Sequence, residues 1–391
     1  MTATIVCYAL LVIATFPFIY YFLVLYSSWR FFRQPVMSAG GEPGSFTPPV
    51  SNLKPIRGID PEAYENFASF CRQDYPDYEL VFCVGAKDDP VVAVLEKLVN
   101  DFPQCHIRIL FGTDGNAAND KAAKLARLVS EAQYETLVIS DSDVRARPDY
   151  LRTVVAPLAD PKVGAVTCIY VPIEVKTLAE SLQTIGMVSD FYAGILVDRQ
   201  LGGMKVALGP TIATTRARLA AFGGYRAIEN QPGDDLLVGR LIAEQGYEVK
   251  LLPHTIQTVP DFHSMPDLLQ KRMRWLVVMR HMRPWGHLGL LLTQGLPWSL
   301  VAIAIHPTLA VAFGYLGAYL GLRLTMTWHL GIRGLRDQTL WRKMWLIPAC
   351  DALAFLIWLI SFGQNSFRWR GGEYCIRDGQ LVPVAANTAG K

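Results

Sequence analysis

Apolar positions along this chain gather in long segments near its two ends, and mixed polar and apolar positions fill the region between them. Residues 1–29 contain no Asp, Glu, Lys or Arg, and Ile5–Tyr26 is almost wholly apolar and long enough to cross a bilayer. Arg30 and Arg33 follow directly, and cytoplasmic flanks are enriched in such residues. The pattern predicts a membrane helix over residues 1–29, with its C-terminal side in the cytoplasm.

A signal peptide is one competing interpretation of this segment. No basic residue precedes the apolar run and no small-residue cleavage site follows it, which favours an uncleaved anchor. A buried core helix is the other alternative.

Short strand-like and helix-like segments alternate between residues 50 and 257, after a Gly/Pro/Ser-rich linker over Ser38–Pro49. Helix patterns begin at Asp60-Pro61 and Asp89-Pro90, where an aspartate can cap the helix and proline takes its first position, and another covers Asn119–Glu131. Strand patterns cover Val50–Leu53, Tyr78–Val84, His106–Phe111, Thr136–Ser140 and Val163–Val171. Such alternation predicts an α/β domain over residues 45–285, built on a parallel sheet with helices on both faces.

Apolar composition returns after Arg283. Gly286–Leu322 has no Asp, Glu, Lys or Arg, and Leu346–Phe362 has only Asp351. A basic segment between the two is expected to be a cytoplasmic loop, and it holds Arg323, Arg333, Arg336, Arg342 and Lys343.

Residues 286–363 are therefore expected to form interfacial and transmembrane helices, followed by a cytosolic tail over residues 364–391. We expect Pro284–Trp298 to be interfacial or re-entrant, with spans near Ser299–Leu322 and Met344–Phe362. A cytoplasmic basic loop and a cytoplasmic tail conflict with these spans, because the last segment would then cross outward and leave the tail on the wrong side. Either the last segment is a hairpin or interfacial, or the earlier region crosses twice.

Charge and cysteine content narrow the class of protein. The formal net charge is only +3, and no basic stripe with interleaved aromatic residues or nucleic-acid module is present, so no nucleic-acid partner is expected. The 7 cysteines are scattered without a Cys-x-x-Cys pair, which favours reduced structural thiols over a disulfide framework or a zinc site.

Two carboxylates follow the buried strand pattern of Thr136–Ser140, in the run Asp141-Ser142-Asp143. In open α/β sheets, ligands bind outside the carboxyl ends of the strands. Carboxylates at that place suit a hard divalent ion, Mg²⁺ or Mn²⁺, which in turn holds the phosphates of a nucleotide. A polar turn is the alternative interpretation.

Four further polar motifs lie along the domain. Asp89 lies at the start of a predicted helix, where its carboxylate can serve as the N-cap. The pair Asp234-Asp235 lies at the start of another helix, where one aspartate can cap the helix and the other is then available to take a proton. Lys121, in the first turn of a helix, suits a diphosphate or is a solvated surface lysine. Arg274 and Trp275 lie on a predicted helix that begins at Ser264-Met265-Pro266-Asp267. The guanidinium of Arg274 suits a diphosphate, and the indole of Trp275 suits a sugar or a lipid. A basic membrane-surface helix is the alternative interpretation.

The chain resembles the ceramide glucosyltransferase family and its bacterial relatives, including the hopanoid-associated glycosyltransferases. The resemblance rests on residues 53–61, 74–76, 88–90, 141–143, 209–211, 234–235, 274–275 and 369–371. It implies a GT-A-type nucleotide-sugar-binding domain between N-terminal and C-terminal transmembrane helices. Asp89 and Asp141 correspond to nucleotide-binding aspartates, Asp235 to the catalytic base, and Arg274-Trp275 to the end of a Gln/Arg-x-x-Arg-Trp motif. Lys271 departs from that motif at its first position, and Arg272 or Gln270 is available to cover its role.

The expected function is inverting transfer of glucose or N-acetylglucosamine from a UDP-sugar to a hydroxyl of a membrane lipid, ceramide or a hopanoid. In this scheme Asp235 is the base, a Mg²⁺ or Mn²⁺ ion lies at Asp143 with Asp141 nearby, and Lys121 and Arg274 add positive charge. The protein is expected to be an integral membrane protein with its catalytic domain in the cytoplasm. A processive polysaccharide synthase of the same fold is the alternative, and a non-catalytic membrane scaffold or a transporter is the alternative from another class.

Overall fold

The computed structural model describes residues 2–34, 46–113, 117–260, 262–337, 340–369 and 372–384. Most of the linker Ser38–Pro49 lies outside the described residues, as do Arg370 and Gly371. The helices are α1 Thr2–Ile13, α2 Phe16–Phe32, α3 Ala63–Cys71, α4 Val91–Asp101, α5 Asp120–Glu131, α6 Tyr150–Val155, α7 Leu178–Gly186, α8 Ala193–Gly202, α9 Arg216–Ala220, α10 Asp234–Glu244, α11 Met265–Met282, α12 Pro284–Gly289, α13 Gly295–Ile305, α14 Leu309–Thr327 and α15 Ile347–Ser361.

The central sheet has eight strands in the order β3-β2-β1-β4-β7-β6-β8-β5. The strands are β1 Val50–Ile56, β2 Tyr78–Val84, β3 His106–Phe111, β4 Thr136–Ile139, β5 Val144–Arg145, β6 Val163–Pro172, β7 Ile212–Thr215 and β8 Glu248–Thr258. The prediction of a parallel sheet was wrong in part, because β7 pairs antiparallel with β4 and β6, and β5 pairs antiparallel with β8. Apolar strand patterns report burial on both faces and not strand direction, so the sequence did not reveal this reversal.

Helices cover both faces of the sheet, as predicted. Apolar residues of α3, α4 and α6 pack on one face, in a core that contains Phe67, Leu95 and Tyr150. The other face packs against α5, α7, α8 and α10. This second core continues without interruption into α2 and α15, through residues such as Tyr21 and Ile347. The α/β domain and the apolar helices therefore share one hydrophobic core.

Three of the predicted helix starts differ from the structure. α3 begins at Ala63 and not at Asp60-Pro61, because Glu62 takes a left-handed conformation (φ 56°) just before it. At α10 the N-cap is Gly233 (φ 70°), so neither aspartate of the following pair occupies the cap position. α4 likewise begins at Val91 with Pro90 as its N-cap, one residue after the predicted cap, although Asp89 Oδ1 accepts a hydrogen bond of 3.0 Å from the Val91 amide.

Three helical segments in the described part of the chain are long and apolar enough to cross a membrane, namely Thr4–Phe32, Leu309–Gly334 and Leu340–Ser361. A bent pair, Pro284–Thr293 and Gly295–Ile305, meets at 57° and together passes the same test. The predicted span Ser299–Leu322 was wrong, because the helix ends at Ile305 and a new one begins at Leu309. Pro307 lies in this break, where it cannot continue a helix.

Arg323 lies inside α14 and not in the predicted basic loop. Its side chain is buried against Asp351 of α15, at 2.7 Å, and it also contacts Asp190. Tyr319 donates a further hydrogen bond of 2.8 Å to Asp351. A charge is tolerated among apolar helices when it is paired, so composition alone misplaced this arginine.

The described part of the predicted tail, residues 364–369 and 372–384, is folded. β9 Ser366–Trp369, β10 Gly372–Arg377 and β11 Gln380–Pro383 form a three-stranded antiparallel sheet. Phe367, Ile376 and Leu381 of this sheet pack on Val277 of α11. The Leu381 amide donates to the carbonyl of Asn230, at 2.7 Å, which attaches the sheet to the α/β domain.

Substitution of Gly239 should destabilise the fold. A Cβ on this residue of α10 would lie 2.2 Å from the Ala207 amide nitrogen, so α10 has to move away from the chain that leads to β7. We expect Gly239→Ala to cost about 1–3 kcal/mol, seen as a melting temperature lowered by several degrees. Gly202→Ala is the matched control, because its Cβ meets nothing within 4 Å, and it should change stability by less than about 0.5 kcal/mol. Equal melting temperatures for the two variants would contradict this packing.

Candidate active site

The carboxyl ends of β1, β2, β4, β6 and β8 meet at one edge of the sheet, which is the edge where ligands bind in such folds. β7 runs the other way, with Ile212 paired to Ile139, so the residues just before β7 lie beside those just after β4. The reversal of β7 therefore places Gly209 next to Asp141.

Lys121 gathers the acidic side chains at this edge. Its Nζ lies 2.5 Å from Asp141 Oδ1 and 3.8 Å from Asp234 Oδ2. Asn119, the N-cap of α5, binds the carboxylate of Asp234 as well, since its Nδ2 donates to Asp234 Oδ1 at 3.3 Å. The lysine side chain is only 11% exposed, so it is a buried ion-pair partner and not a surface lysine.

Gly209 lies at the centre of this cluster. Its amide donates a hydrogen bond of 2.9 Å to Asp235 Oδ2. A Cβ built on Gly209 would lie 3.0 Å from Asp235 Oδ2, 3.4 Å from Asp141 Oδ2 and 3.5 Å from Lys121 Nζ. The glycine therefore leaves room for these three charged groups to approach one another.

The two aspartates at the start of α10 have different surroundings. Asp235 accepts backbone hydrogen bonds on both oxygens, from Gly209 and from Leu236, each at 2.9 Å. Asp234 is bound instead by Asn119 and faces Lys121. Asp235 is thus the member of the pair that faces the strand edge.

The pKa of Asp235 is raised to about 6, because burial and the neighbouring charge of Asp234 disfavour its ionised form, while Lys121 opposes them. The pKa of Lys121 is raised despite burial, because the carboxylates of Asp141, Asp234 and Asp235 stabilise the ammonium. Asp235 is accordingly ionised at neutral pH and takes up a proton more readily than an ordinary aspartate.

A cleft of about 410 Å³ opens beside this cluster. Its lining includes three carboxylates and one guanidinium, those of Asp60, Asp141, Asp143 and Arg57. No group of three or more His, Cys, Asp or Glu side chains in the described part of the chain is arranged to hold a metal by itself. Mg²⁺ is typically held by one or two carboxylates together with substrate phosphates and water, and Asp141 and Asp143 fit that pattern.

Asp89 lies at the rim of the cleft. Its Oδ2 accepts a hydrogen bond of 3.0 Å from the amide of Gly58, which lines the cleft, and its Oδ1 accepts one from the Val91 amide at the start of α4. The structure therefore assigns Asp89 a role in shaping the turn after β1. Contact with a nucleotide stays a prediction.

Trp275 borders a second cavity, which also has Asp143 and Tyr170 in its lining. The indole stacks on Phe191 at 5.7 Å, and Lys271 Nζ lies 4.7 Å from the Phe262 ring on the same wall. Much of the rest of its wall comes from β6, α7, the segment Met187–Tyr192 and α11, so the cavity lies between the acidic edge and α11.

Arg274 lies over the Trp369 ring of the small C-terminal sheet, at 5.5 Å. Arg272 does not replace the Gln or Arg that the motif has at the position of Lys271. Its Nε donates to Gln183 at 3.2 Å and its Nη2 donates to the Leu182 carbonyl of α7. Gln270 is exposed, so Lys271 is the basic residue of this motif that reaches a cavity wall.

Sequence reasoning missed Lys54 and Tyr170. Lys54 is fully buried, donates to the Asp141 carbonyl at 3.1 Å and lies 3.4 Å from the Phe70 ring centre, and burial lowers its pKa to about 7. Burial raises the pKa of the Tyr170 phenol, and the carboxylates of Asp235, Asp143 and Asp141 raise it further. A lysine inside the apolar strand β1 was a signal for the first, whereas nothing in the pattern of β6 marked the second.

Comparison with known proteins places this arrangement in a family. The model of Glycosyl transferase family 21 matches residues 9–382. Ceramide glucosyltransferase 3 of Caenorhabditis elegans is 26% identical over 253 residues, which are 61% of this chain and 52% of that protein. Ceramide glucosyltransferase 1 of the same organism is 24% identical over 371 residues, 88% of this chain and 77% of that protein. The chain thus spans about half the length of the first relative and about three quarters of the second.

A mannosyltransferase from Pyrobaculum calidifontis, solved in complex with GDP-Man and Mn²⁺, superposes with a TM-score of 0.55 at 20% identity. The superposition covers 90% of this chain and 99% of the mannosyltransferase. It confirms the GT-A-type α/β fold predicted from the sequence. Since the family model matches nearly the whole chain, the protein belongs to glycosyl transferase family 21, and the predicted resemblance to the ceramide glucosyltransferases is confirmed.

Proposed function

We propose that the protein is a membrane-bound inverting glycosyltransferase that moves glucose or N-acetylglucosamine from a UDP-sugar to a hydroxyl of a membrane lipid, ceramide or a hopanoid. The observation that supports it best is the position of Asp235, which is held by the Gly209 amide at the ligand-binding edge with its pKa raised to about 6. The family assignment and the names of the nematode relatives support the lipid acceptor.

The proposed reaction is a single displacement. The acceptor oxygen forms a bond to the anomeric carbon of the sugar while the bond from that carbon to the diphosphate breaks. The acceptor proton passes to Asp235, and UDP leaves. A positioned base of this kind contributes roughly 10²–10⁴-fold to the rate. The raised pKa suits Asp235 to this task, since a base works best when its pKa lies close to the working pH.

The donor diphosphate meets an edge that is mostly acidic. Lys121 is shared between Asp141 and Asp234, so it does not neutralise the edge alone. Asp143 and Asp141 would hold a Mg²⁺ or Mn²⁺ ion, which when bound supplies Lewis-acid stabilisation of the leaving diphosphate. Lys121 and Arg274 contribute fixed positive charge to the same region. We propose Asp89 as a contact for the nucleotide at the rim of the cleft.

The acceptor would enter from the second cavity. Its lining combines apolar side chains, among them Met187, Val188 and Trp275, with the acidic edge at Asp143. An amphiphile anchored in the bilayer presents its hydroxyl at the membrane surface, and this cavity of about 70 Å³ would receive the hydroxyl end alone. Arg30 and Arg33 at the end of α2 favour a cytoplasmic position for the catalytic domain.

The activity itself can be tested in membranes of an expressing cell. These are incubated with radiolabelled UDP-glucose or UDP-N-acetylglucosamine and with ceramide, a hopanoid or no added lipid. Lipid-soluble label above that of a membrane with the Asp235→Asn variant supports the function. Label that extends into a water-soluble polymer would indicate the processive synthase.

Replacement of Asp235 should remove the base. Asp235→Asn cannot accept the acceptor proton, so transfer should fall about 10²-fold or more while UDP-sugar binding is retained. The amide also turns an NH₂ group toward one of two backbone donors, so a modest loss of stability is expected and melting temperature is measured alongside.

Asp234→Asn is the matched control for this test, because an amide oxygen still accepts from Asn119, and its effect on rate should be mild. The assignment fails if the two substitutions exchange their effects. It also fails if Asp235→Asn loses donor binding in step with its rate.

The rate should depend on the ionisation of Asp235. A base with a pKa of about 6 works only when deprotonated, so kcat/KM should be flat above about pH 7 and fall about tenfold per unit below about pH 6. Asp234→Asn removes a charge that raises the pKa of Asp235 and should move this acid limb to lower pH. A profile that stays flat through the pKa in the wild-type enzyme would contradict the assignment.

Removal of divalent metal should abolish transfer, and Mn²⁺ or Mg²⁺ should restore it. Asp143→Asn should raise the metal concentration needed for half-maximal rate by about tenfold or more. The exposed Asp101, bound to Tyr64 on the far side of α4, supplies the control Asp101→Asn, which should have no effect. Mn²⁺-dependent binding of UDP, measured by calorimetry, gives a readout separate from turnover. Full activity in chelator would exclude the metal role.

A further inference from the structure

The segment Leu340–Ser361 has 22 residues and a mean hydropathy of 1.9 over its most apolar stretch, which is enough to cross a membrane. Its beginning is nevertheless attached to the α/β domain. Lys343 Nζ donates to Ser181 Oγ at 2.7 Å and to the Val175 carbonyl at 3.4 Å. Ser181 lies on α7, which packs on the central sheet.

The end of the same segment is also attached to the domain side. The Arg280 guanidinium on α11 donates to the carbonyls of Phe362 and Gln364, at 2.7 Å each. His287 Nε2 lies 2.9 Å from Ser361 Oγ. Between the two ends, Arg272 on α11 contacts Cys350, so α15 runs along α11.

α11 cannot lie at the centre of a bilayer. It carries Lys271, Arg272, Arg274, Arg280 and His281, and each charge there is costly in hydrocarbon. A helix that runs alongside α11 and contacts it at both Cys350 and Ser361 therefore stays on the same side of the membrane as α11.

The chain that follows this segment also lies on the same side of the membrane as α11. β11 bonds to Asn230, four residues before Asp234, and Phe367 and Ile376 pack on α11. A helix that crossed the hydrocarbon core would leave these strands about 30 Å away, on the opposite face. They lie instead beside the catalytic edge.

The outward face of the segment is apolar and exposed. Trp345 is 76% exposed, Leu356 53%, Leu359 47% and Ile360 52%. The opposite face, with Ile347, Cys350, Asp351, Ile357, Trp358 and Ser361, is buried in the protein. Exposed Trp341 and Arg342 lie at its start, and Trp and Arg are typical of the headgroup region. An apolar outer face with basic and aromatic flanks is what a lipid surface covers.

We propose that Leu340–Ser361 lies in the plane of the membrane interface, on the side of the catalytic domain, with its outer face in the lipid. The membrane is then crossed three times, by Thr4–Phe32, by the bent pair Pro284–Ile305 and by Leu309–Gly334. The last two form a hairpin, since α13 and α14 are joined only by residues 306–308. Three crossings place the catalytic domain and the C-terminal sheet on one side. This arrangement is independent of the proposed reaction.

Depth measurements test the proposal directly. Single spin-labelled cysteines replace Trp345, Ala349, Leu356 or Ile360 in full-length protein in phosphatidylcholine vesicles, after the partly exposed Cys7, Cys105 and Cys375 are changed to serine. Collision with oxygen and with a nickel chelate gives the depth of each label. An in-plane helix gives four similar depths, within about 5–10 Å of the headgroups. Labels at Leu309, Phe313 and Leu320 of α14 are the control, and their depth should change steadily along the helix.

Two results would overturn the proposal. The labels at Ala349 and Leu356 would lie near the bilayer centre if the helix crosses, and they would collide freely with the nickel chelate if the face is in water. A second measurement does not depend on cysteine variants. An epitope in the exposed turn Asp378-Gly379 and the same epitope at Pro103-Gln104 should be accessible from the same side of sealed vesicles. Access from opposite sides would show that the helix crosses.

Discussion

The buried ion pair between Lys121 and Asp141 is the interaction on which the geometry of the acidic edge depends. Three carboxylates, those of Asp141, Asp234 and Asp235, act on one ammonium group, which burial would otherwise disfavour. Removing one partner of such a pair leaves an uncompensated buried charge, at a typical cost of about 3–5 kcal/mol. Burial raises the pKa of Asp235, and because Lys121 balances less than the full negative charge around it, the edge remains acidic and the neighbouring Asp234 raises that pKa further.

The direction of β7 makes this cluster possible. Asp141 leaves the sheet at the end of β4, and an antiparallel neighbour is required for Gly209 to enter the sheet at the same point. A parallel neighbour would bring the end of a strand there, together with the turn into its own helix. The Gly209 amide then binds Asp235, and the absence of a side chain at Gly209 keeps the space between Asp235 and Asp141 open. Strand direction thus sets both the position of Asp235, the proposed base, and the room around it.

The sequence predicted the individual residues of the site better than the contacts between them. A strand over Thr136–Ser140 was predicted because a short β-branched run is typical of a buried strand, and the structure has it at Thr136–Ile139, just before Asp141. The pairing of Lys121 with Asp141 was not predictable, since Asp141 follows β4 and the contact depends on how α5 packs on the sheet. The strand Ile212–Thr215 has only four residues, too few for a periodic signal. Arg323 was misplaced because its partner Asp351 is 28 residues away, and pairing decides whether an arginine can lie in an apolar helix.

Arg323 also explains how the apolar helices and the acidic edge are held together. It joins α14 to Asp351 of α15 and to Asp190, in the π-helical segment Met187–Tyr192 of the α/β domain. Tyr192, at the end of that segment, donates to the Tyr170 carbonyl and packs on its ring at 5.8 Å. A displacement of the apolar helices therefore acts on the wall of the second cavity through a buried charge network and not through a flexible linker. A domain attached in this way would keep a fixed height above the membrane, which is the constraint that the proposed bilayer-anchored acceptor imposes.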